Sequence, residues 1–265
     1  MILHFTPYAL RFTVLMNAAN AMDVIDATSA QCLSPLAFCL FYIMIKISKL
    51  NKTFIKDGSK IEVLKDMDLE VGKGESLSIV GVSGAGKSTL IHILGTLDRP
   101  TSGQVLIGEN NVFEWDDARL AAFRNRTIGF VFQFHHLMPE FNSLENVMMP
   151  VLISGMTGQK ARSRAEQVLK EVGLGDRMTH KPGELSGGEQ QRVAVARALV
   201  MEPGIILADE PTGNLDTETG KKIEDILLSL NKERGITLIV VTHNPLLSKR
   251  MSRSIGLQDG KIRIQ

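Results

Sequence analysis

The stretch Ser76 to Leu94, SLSIVGVSGAGKSTLIHIL, constrains the fold more than any other. Apolar Leu77, Ile79 and Val80 predict a short buried strand, Gly81 to Gly86 a loop, and Lys87 onward a helix offering Leu90, Ile91, Ile93 and Leu94 to a sheet. The spacing is G-x-x-x-x-G-K-S, with Gly81, Gly86, Lys87 and Ser88 in the fixed places. Glycines let successive N–H groups of Gly81, Val82, Ser83, Gly84, Ala85 and Gly86 converge on one spot. The helix that starts there adds its positive dipole end, and together they cradle a polyphosphate. Lys87 would reach the β and γ phosphates, and the Ser88 hydroxyl would bind Mg2+.

Composition narrows the class. A net charge of +1, with cations scattered among acids, argues against a dedicated nucleic-acid surface. Both cysteines, Cys32 and Cys39, lie near the amino terminus, so no disulfide framework or cysteine zinc site is available beyond Met44. Residues 1–43 carry only Arg11, Asp23 and Asp26 as charges. Their apolar run Cys32 to Ile45 is shorter than the roughly 20 residues of a spanning helix and lacks the basic flank of a signal peptide. They read as an extension of doubtful function, with Met44 as the expected true start and the working domain over 44–265.

From Met44, alternating Ile45, Ile47 and Leu50 predict a half-exposed strand. Phe54 follows, ahead of a polar turn at Lys56 to Ser59; alone it suits the core as well as an adenine ring. Short strands at Ile61 to Leu64 and Leu69 to Val71 would complete an antiparallel unit. Further on come a strand at Gln104 to Ile107, a charged helix at Asp116 to Arg126, and an apolar strand Ile128 to Phe132 running into Gln133. Phe134 to Phe141 reads as an apolar surface suited to a partner. Adjacent His135 and His136 point apart and lack ligand spacing. From Ser143 to Gly173 the apolar period is helical.

Two later stretches carry chemistry. Leu185-Ser186-Gly187-Gly188-Glu189 opens a helix in which Ser186 is a natural N-cap and Glu189 completes a capping box. Its Ser-Gly-Gly start leaves bare N–H groups on a helix dipole, a second anion site in the same chain. Ile205 to Glu210 is a buried strand ending in two acids, costly without a cation. Asp209 would hold Mg2+ through water, and Glu210 would take the proton of an attacking water. The turn through Asp216 caps a helix to about Leu230. A last buried strand, Thr237 to Val241, delivers His243, which alone would suit a structural role as well as a γ-phosphate contact.

Taken together, GVSGAGKS, Gln133, LSGGE, ILADE, the NLD turn and His243 resemble the ATP-binding cassette family over essentially all of Met44 to Gln265. The resemblance implies an α/β fold: a P-loop NTPase ABC-type cassette with a RecA-like core, an amino-terminal antiparallel β subdomain and a helical subdomain at about 134–190. It implies ATP and Mg2+ as ligands, with ATP contacts from Phe54 and from the loop through Thr89, and Mg2+ at Ser88, Gln133 and Asp209. Glu210, His243 and Gln133 become the catalytic group. Two copies would pair head to tail, so that Ser186, Gly187, Gly188 and Glu189 of one meet ATP on the other, with Asp216 in the turn between them.

Within the family, EPTGNLD resembles the subgroup that holds macrolide, peptide, cell-division and lipoprotein-releasing cassettes, and FQFHHLMPEFNSLENVMMP resembles its lipoprotein-releasing branch. That implies a peripheral ATPase on the cytoplasmic face of the inner membrane, working with two integral membrane subunits and without direct cargo contact. A sibling exporter of the macrolide, peptide or cell-division type is the nearest alternative. A non-transport cassette would need inserts or a tandem copy, and a phosphate-loop kinase is opposed by the Asp209-Glu210 pair.

Overall fold

The computed structural model describes residues 43–264. The proposed amino-terminal extension lies outside the described residues, apart from Ile43, which begins the first strand. Alternation buries Ile45, Ile47 and Leu50 along β1 (Ile43–Lys56), which pairs antiparallel with β2 (Ser59–Gly72). The separate short strands expected at 61–64 and 69–71 are one continuous strand. Register shifts between Ile47 and Thr53 absorb the irregularity, and Phe54 stays in the ladder opposite Ile61. The hairpin then closes on Asp57-Gly58, whose φ of 51° and 76° suit a two-residue turn with the right twist. With β4 (Ser102–Ile107) and β5 (Asn110–Asn111) these strands form an antiparallel sheet ordered β2-β1-β4-β5.

The second sheet is ordered β10-β9-β3-β8-β7-β6, from β3 (Ser76–Val80), β6 (Ile128–Phe132), β7 (Ile205–Asp209), β8 (Thr237–Val241), β9 (Arg253–Gln258) and β10 (Lys261–Ile264). All its pairs are parallel except β10 with β9. Parallel strands covered on both faces have no solvent side, which is why β7 and β8 read as unbroken apolar runs. Ile205, Leu207, Ile239 and Val241 join the core shared with the antiparallel sheet and with α1 (Lys87–Leu94). Their neighbours Ile206, Ala208, Leu238 and Val240 join a second core on the other face of the sheet.

That second core holds α3 (Ser143–Ile153), α4 (Gly158–Glu171) and α5 (Gly187–Leu199); α2 (Asp117–Thr127) precedes β6. The single helical run expected from 143 to 173 is two helices. Gly155, at φ 84°, reverses the chain, and the Thr157 side chain caps α4. The apolar period survives the break because Val147, Val151, Ala165 and Leu169 face the same core.

Because β3, β6, β7 and β8 are parallel, the phosphate loop, Gln133, Asp209-Glu210 and His243 all leave the sheet at the same edge. Ligands of open α/β sheets bind at that carboxyl edge. Among the described residues, no helix is long and apolar enough to cross a membrane.

Candidate nucleotide site

The loop between β3 and α1 is built by its glycines. Gly86 sits at φ 100°, and a Cβ there would meet Leu64 Cδ2 at 2.8 Å and Val63 O at 3.0 Å. Gly81 passes so close to β9 that a Cβ would lie 2.2 Å from Leu257 O. The Lys87 side chain is buried and donates from Nζ to Gly81 O and Val82 O, both at 2.9 Å. It is a cation held inside the loop with no carboxylate bonded to it among the described residues, placed where a phosphate would meet it.

A cavity of about 660 Å³ opens above this loop. Ser83, Gly84, Gly86, Lys87, Ser88 and Thr89 line one side, and Gln133, Asp209, Glu210 and His243 line the other. The fold therefore brings these sequence-predicted residues together. Phe54 is not on the wall; Val63 of β2 is. Phe54 stays 41% exposed, with Lys52 Nζ 4.7 Å from its ring centroid. His136 reaches the cavity while His135 does not, as expected of sequence neighbours that point apart.

Glu210 follows β7 with a φ of 47°, unusual for a residue with a Cβ and found where function holds strain. Its Oε2 accepts from His243 N at 3.2 Å. Oε1 is buried without a hydrogen bond, 3.1 Å from His243 Nε2. Burial pushes the Glu210 carboxyl above the usual carboxylate range, and Asp209 adds to that; His243 and Lys87 pull the other way.

The Ser88 hydroxyl, the Asp209 carboxylate and the Gln133 amide line the same cavity. Gln133 donates Nε2 to Asn214 Oδ1 at 2.9 Å, which leaves its amide oxygen as the free acceptor. Three hard oxygen donors fit Mg2+ and suit no softer metal as well.

The helix α5 begins as the sequence anticipates. Ser186 Oγ accepts from Glu189 N at 3.3 Å, and Glu189 Oε2 accepts from Ser186 N at 2.8 Å. Ser186 N–H, the Ser186 hydroxyl and Arg177 hold the Glu189 carboxyl below its usual value. Ser186 and Gly187 are exposed, and Ser186, Gly187, Gly188 and Glu189 lie off the cavity wall. Asp216 is off it too: it caps α6 (Thr217–Arg234), accepting from Glu218 N and Thr219 N. That helix runs four residues past the expected end at Leu230, which is its last buried position.

Sequence reasoning missed the residues that tie these parts together. Gln191 of α5 donates to Phe132 O at 3.2 Å and Pro211 O at 2.6 Å. Arg197 of the same helix donates to His136 O at 2.6 Å and His135 O at 2.8 Å. One helix thus fixes the backbone on both sides of Gln133.

Residues 64–213 match the ABC transporter family. The lipoprotein-releasing system ATP-binding protein LolD of Syntrophus aciditrophicus is 72% identical over 219 residues, covering 83% of this chain and 98% of the relative. LolD of Geobacter metallireducens is 54% identical over 219 residues, covering 83% and 97%. Among solved structures, the cassette MJ0796, a dimer in a post-hydrolysis state bound to ADP and Pi, superposes with a TM-score of 0.78 at 44% identity, covering 83% of this chain and 97% of that one. The motifs, the cavity that unites them and these likenesses lead to one conclusion: the chain belongs to the ABC transporter family, as its ATP-binding ATPase domain.

Proposed function

We propose that this chain is the ATP-hydrolysing subunit of a lipoprotein-releasing complex of the inner membrane. The convergence of Lys87, Gln133, Asp209, Glu210 and His243 on one cavity carries the ATPase reading. The 72% identity to a LolD protein over nearly its whole length supports the cargo class.

In this reading the loop N–H groups and Lys87 bind the phosphates of ATP, and Phe54 stacks on the adenine. Ser88, Asp209 and Gln133 would hold Mg2+, which when bound neutralises charge on the β and γ phosphates. Glu210 accepts a proton from the attacking water, and His243 keeps its carboxylate in place and faces the γ phosphate. Ser186, Gly187, Gly188 and Glu189 stand at a helix start away from the cavity, exposed at its first two residues, and in this reading a second copy brings them. The structural neighbour MJ0796 is a dimer. Asp216 then lies in the turn between the copies.

In this reading the chain works as a peripheral subunit on the cytoplasmic face, where ATP is at hand; among the described residues no helix is long and apolar enough to span a bilayer. Two integral membrane subunits, LolC- and LolE-like, would each dock a helix beside Gln133. A groove of about 390 Å³ there is lined by Phe130, Phe132, Pro150, Ile153 and Met201, with exposed Phe134 and Met138 nearby in sequence.

The test is co-purification from membranes followed by reconstitution in liposomes. ATP with Mg2+ should release lipoprotein from the bilayer, and neither should do so alone. Release of a different substrate class, with lipoprotein retained, would reassign the complex to a sibling exporter.

A further inference from the structure

Among the described residues, Glu224 on α6 is the only acid buried below a tenth of its surface, at 6% exposed, and the reaction above does not use it. A buried carboxylate is costly unless its oxygens are engaged. Oε1 of Glu224 accepts from Asn244 Nδ2 at 3.0 Å, and Oε2 accepts from Arg250 Nη1 at 3.3 Å. Arg250 also pairs with Asp225, so its charge is shared.

Asn244 is the residue after His243. Its backbone N donates to Thr242 Oγ1 at 3.0 Å. Its Oδ1 accepts from Leu246 N at 2.9 Å and so caps α7 (Pro245–Arg250). With the oxygen committed to that cap, only Nδ2 can anchor the loop to α6, and Glu224 is where it lands. The same loop presents His243 N–H to Glu210.

We propose that Glu224 is a positioning residue for His243: by fixing Asn244 it holds the loop that keeps His243 against the Glu210 carboxylate. The inference rests on the reading of Glu210 and His243 given above. A purely structural Glu224 would affect folding alone; a positioning one affects kcat with the fold intact. It also depends on a donor meeting an acceptor, so exchanging the two should restore it.

The experiment measures Mg-ATP hydrolysis and thermal unfolding of the full chain and its variants. Glu224→Ala removes the acceptor, and Asn244→Asp sets two carboxylates face to face while keeping the cap on Leu246. Each is expected to lower kcat about ten- to a hundredfold with KM for ATP within about threefold. The double variant Glu224→Gln/Asn244→Asp reverses the bond, with the Gln amide donating to Asp, and should recover kcat to within about threefold of wild type. If Asn244→Asp fails to fold, Glu224→Ala against Glu224→Gln decides, since the Gln keeps an acceptor and should retain the higher kcat. Single variants matching wild type, a double variant as slow as Asn244→Asp, or equal kcat for Ala and Gln at 224 would each overturn the inference. A wild type that does not hydrolyse ATP would instead overturn the reading of the site, and this inference with it.

Discussion

Glu210→Gln replaces one carboxylate oxygen by an amide nitrogen and leaves the shape almost unchanged. The Gln oxygen can still accept from His243 N, now 3.2 Å from Glu210 Oε2. What disappears is basicity. Burial raises the Glu210 pKa from its ordinary value, which moves the carboxylate toward the operating pH, where a general base is most effective. Losing a general base removes about 10²- to 10⁴-fold in rate, or about 3 to 5.5 kcal/mol of barrier lowering. Stability should move in the opposite direction. A carboxyl whose pKa is raised by folding binds its proton more tightly in the native state, so native stability falls as pH rises from the unfolded value through the folded one. Above the unfolded glutamate pKa the wild type bears that cost and the Gln variant does not. Single-turnover phosphate release at saturating Mg-ATP measures the first effect. Thermal melts without nucleotide, at about pH 4 and at neutral pH, measure the second. The variant should be slow, at least as stable as wild type at neutral pH, and dimeric by sedimentation with ATP. A rate within tenfold of wild type, or a monomer at saturating ATP and Mg2+, would refute the assignment of Glu210.

Two further outcomes follow from the helix α5. A Cβ at Gly129 on β6 would lie 2.5 Å from Ala198 O, a backbone atom of α5 that cannot rotate away. Gly129→Ala should therefore cost about 1–3 kcal/mol, read as a lower denaturant midpoint at unchanged slope, and an unchanged midpoint would contradict it. Glu189 is the opposite electrostatic case from Glu210. Its lowered folded pKa adds stability that is complete above the unfolded glutamate pKa and lost as pH falls through the folded value. The melting temperature of wild type should exceed that of Glu189→Gln at neutral pH, and the gap should close toward about pH 3; a gap that does not vary with pH would remove the capping explanation.

The site residues legible in the sequence are those whose chemistry demands a fixed type at a fixed spacing. Gly81, Gly86, Lys87 and Ser88 announce a phosphate loop, and Asp209-Glu210 at the end of an apolar run announces a strand that delivers acids to an edge. The ties between segments carried no such signal. Gln133 meets Asn214 across 81 positions, Gln191 meets Phe132 across 59, and Arg197 meets His135 across 62. A polar side chain on a helix has the same local pattern whether it faces water or a distant carbonyl, so nothing local singles out Gln191, Arg197 or Glu224. The break at Gly155 was hidden for a related reason. Periodicity reports which face is buried, and both α3 and α4 bury theirs in one core. The Gly155 and Thr157 pair, a reversal followed by a cap, was the local signal that could have revealed it.

The separation of the two anion-seeking helix starts has a mechanical consequence. The start of α1 opens into the cavity, whereas the start of α5 is exposed and off its wall. Neither end alone surrounds a triphosphate, and the α5 end cannot swing inward without breaking the bonds from Gln191 and Arg197 to the backbone flanking Gln133. In the proposed pairing a two-fold axis would use each mismatch once, giving every α1 the α5 of the other copy and producing two equivalent sites in one closed dimer. Nucleotide bound at such a seam stabilises association by its own binding free energy, because it binds the pair better than the single chain. Loss of the γ phosphate removes the group that both ends attract, so the seam weakens when the bond is cut. In the proposed complex the α5 helix, fixed to the Gln133 segment, would carry that change to the groove lined by Phe130, Phe132 and Ile153, where a membrane subunit would use it.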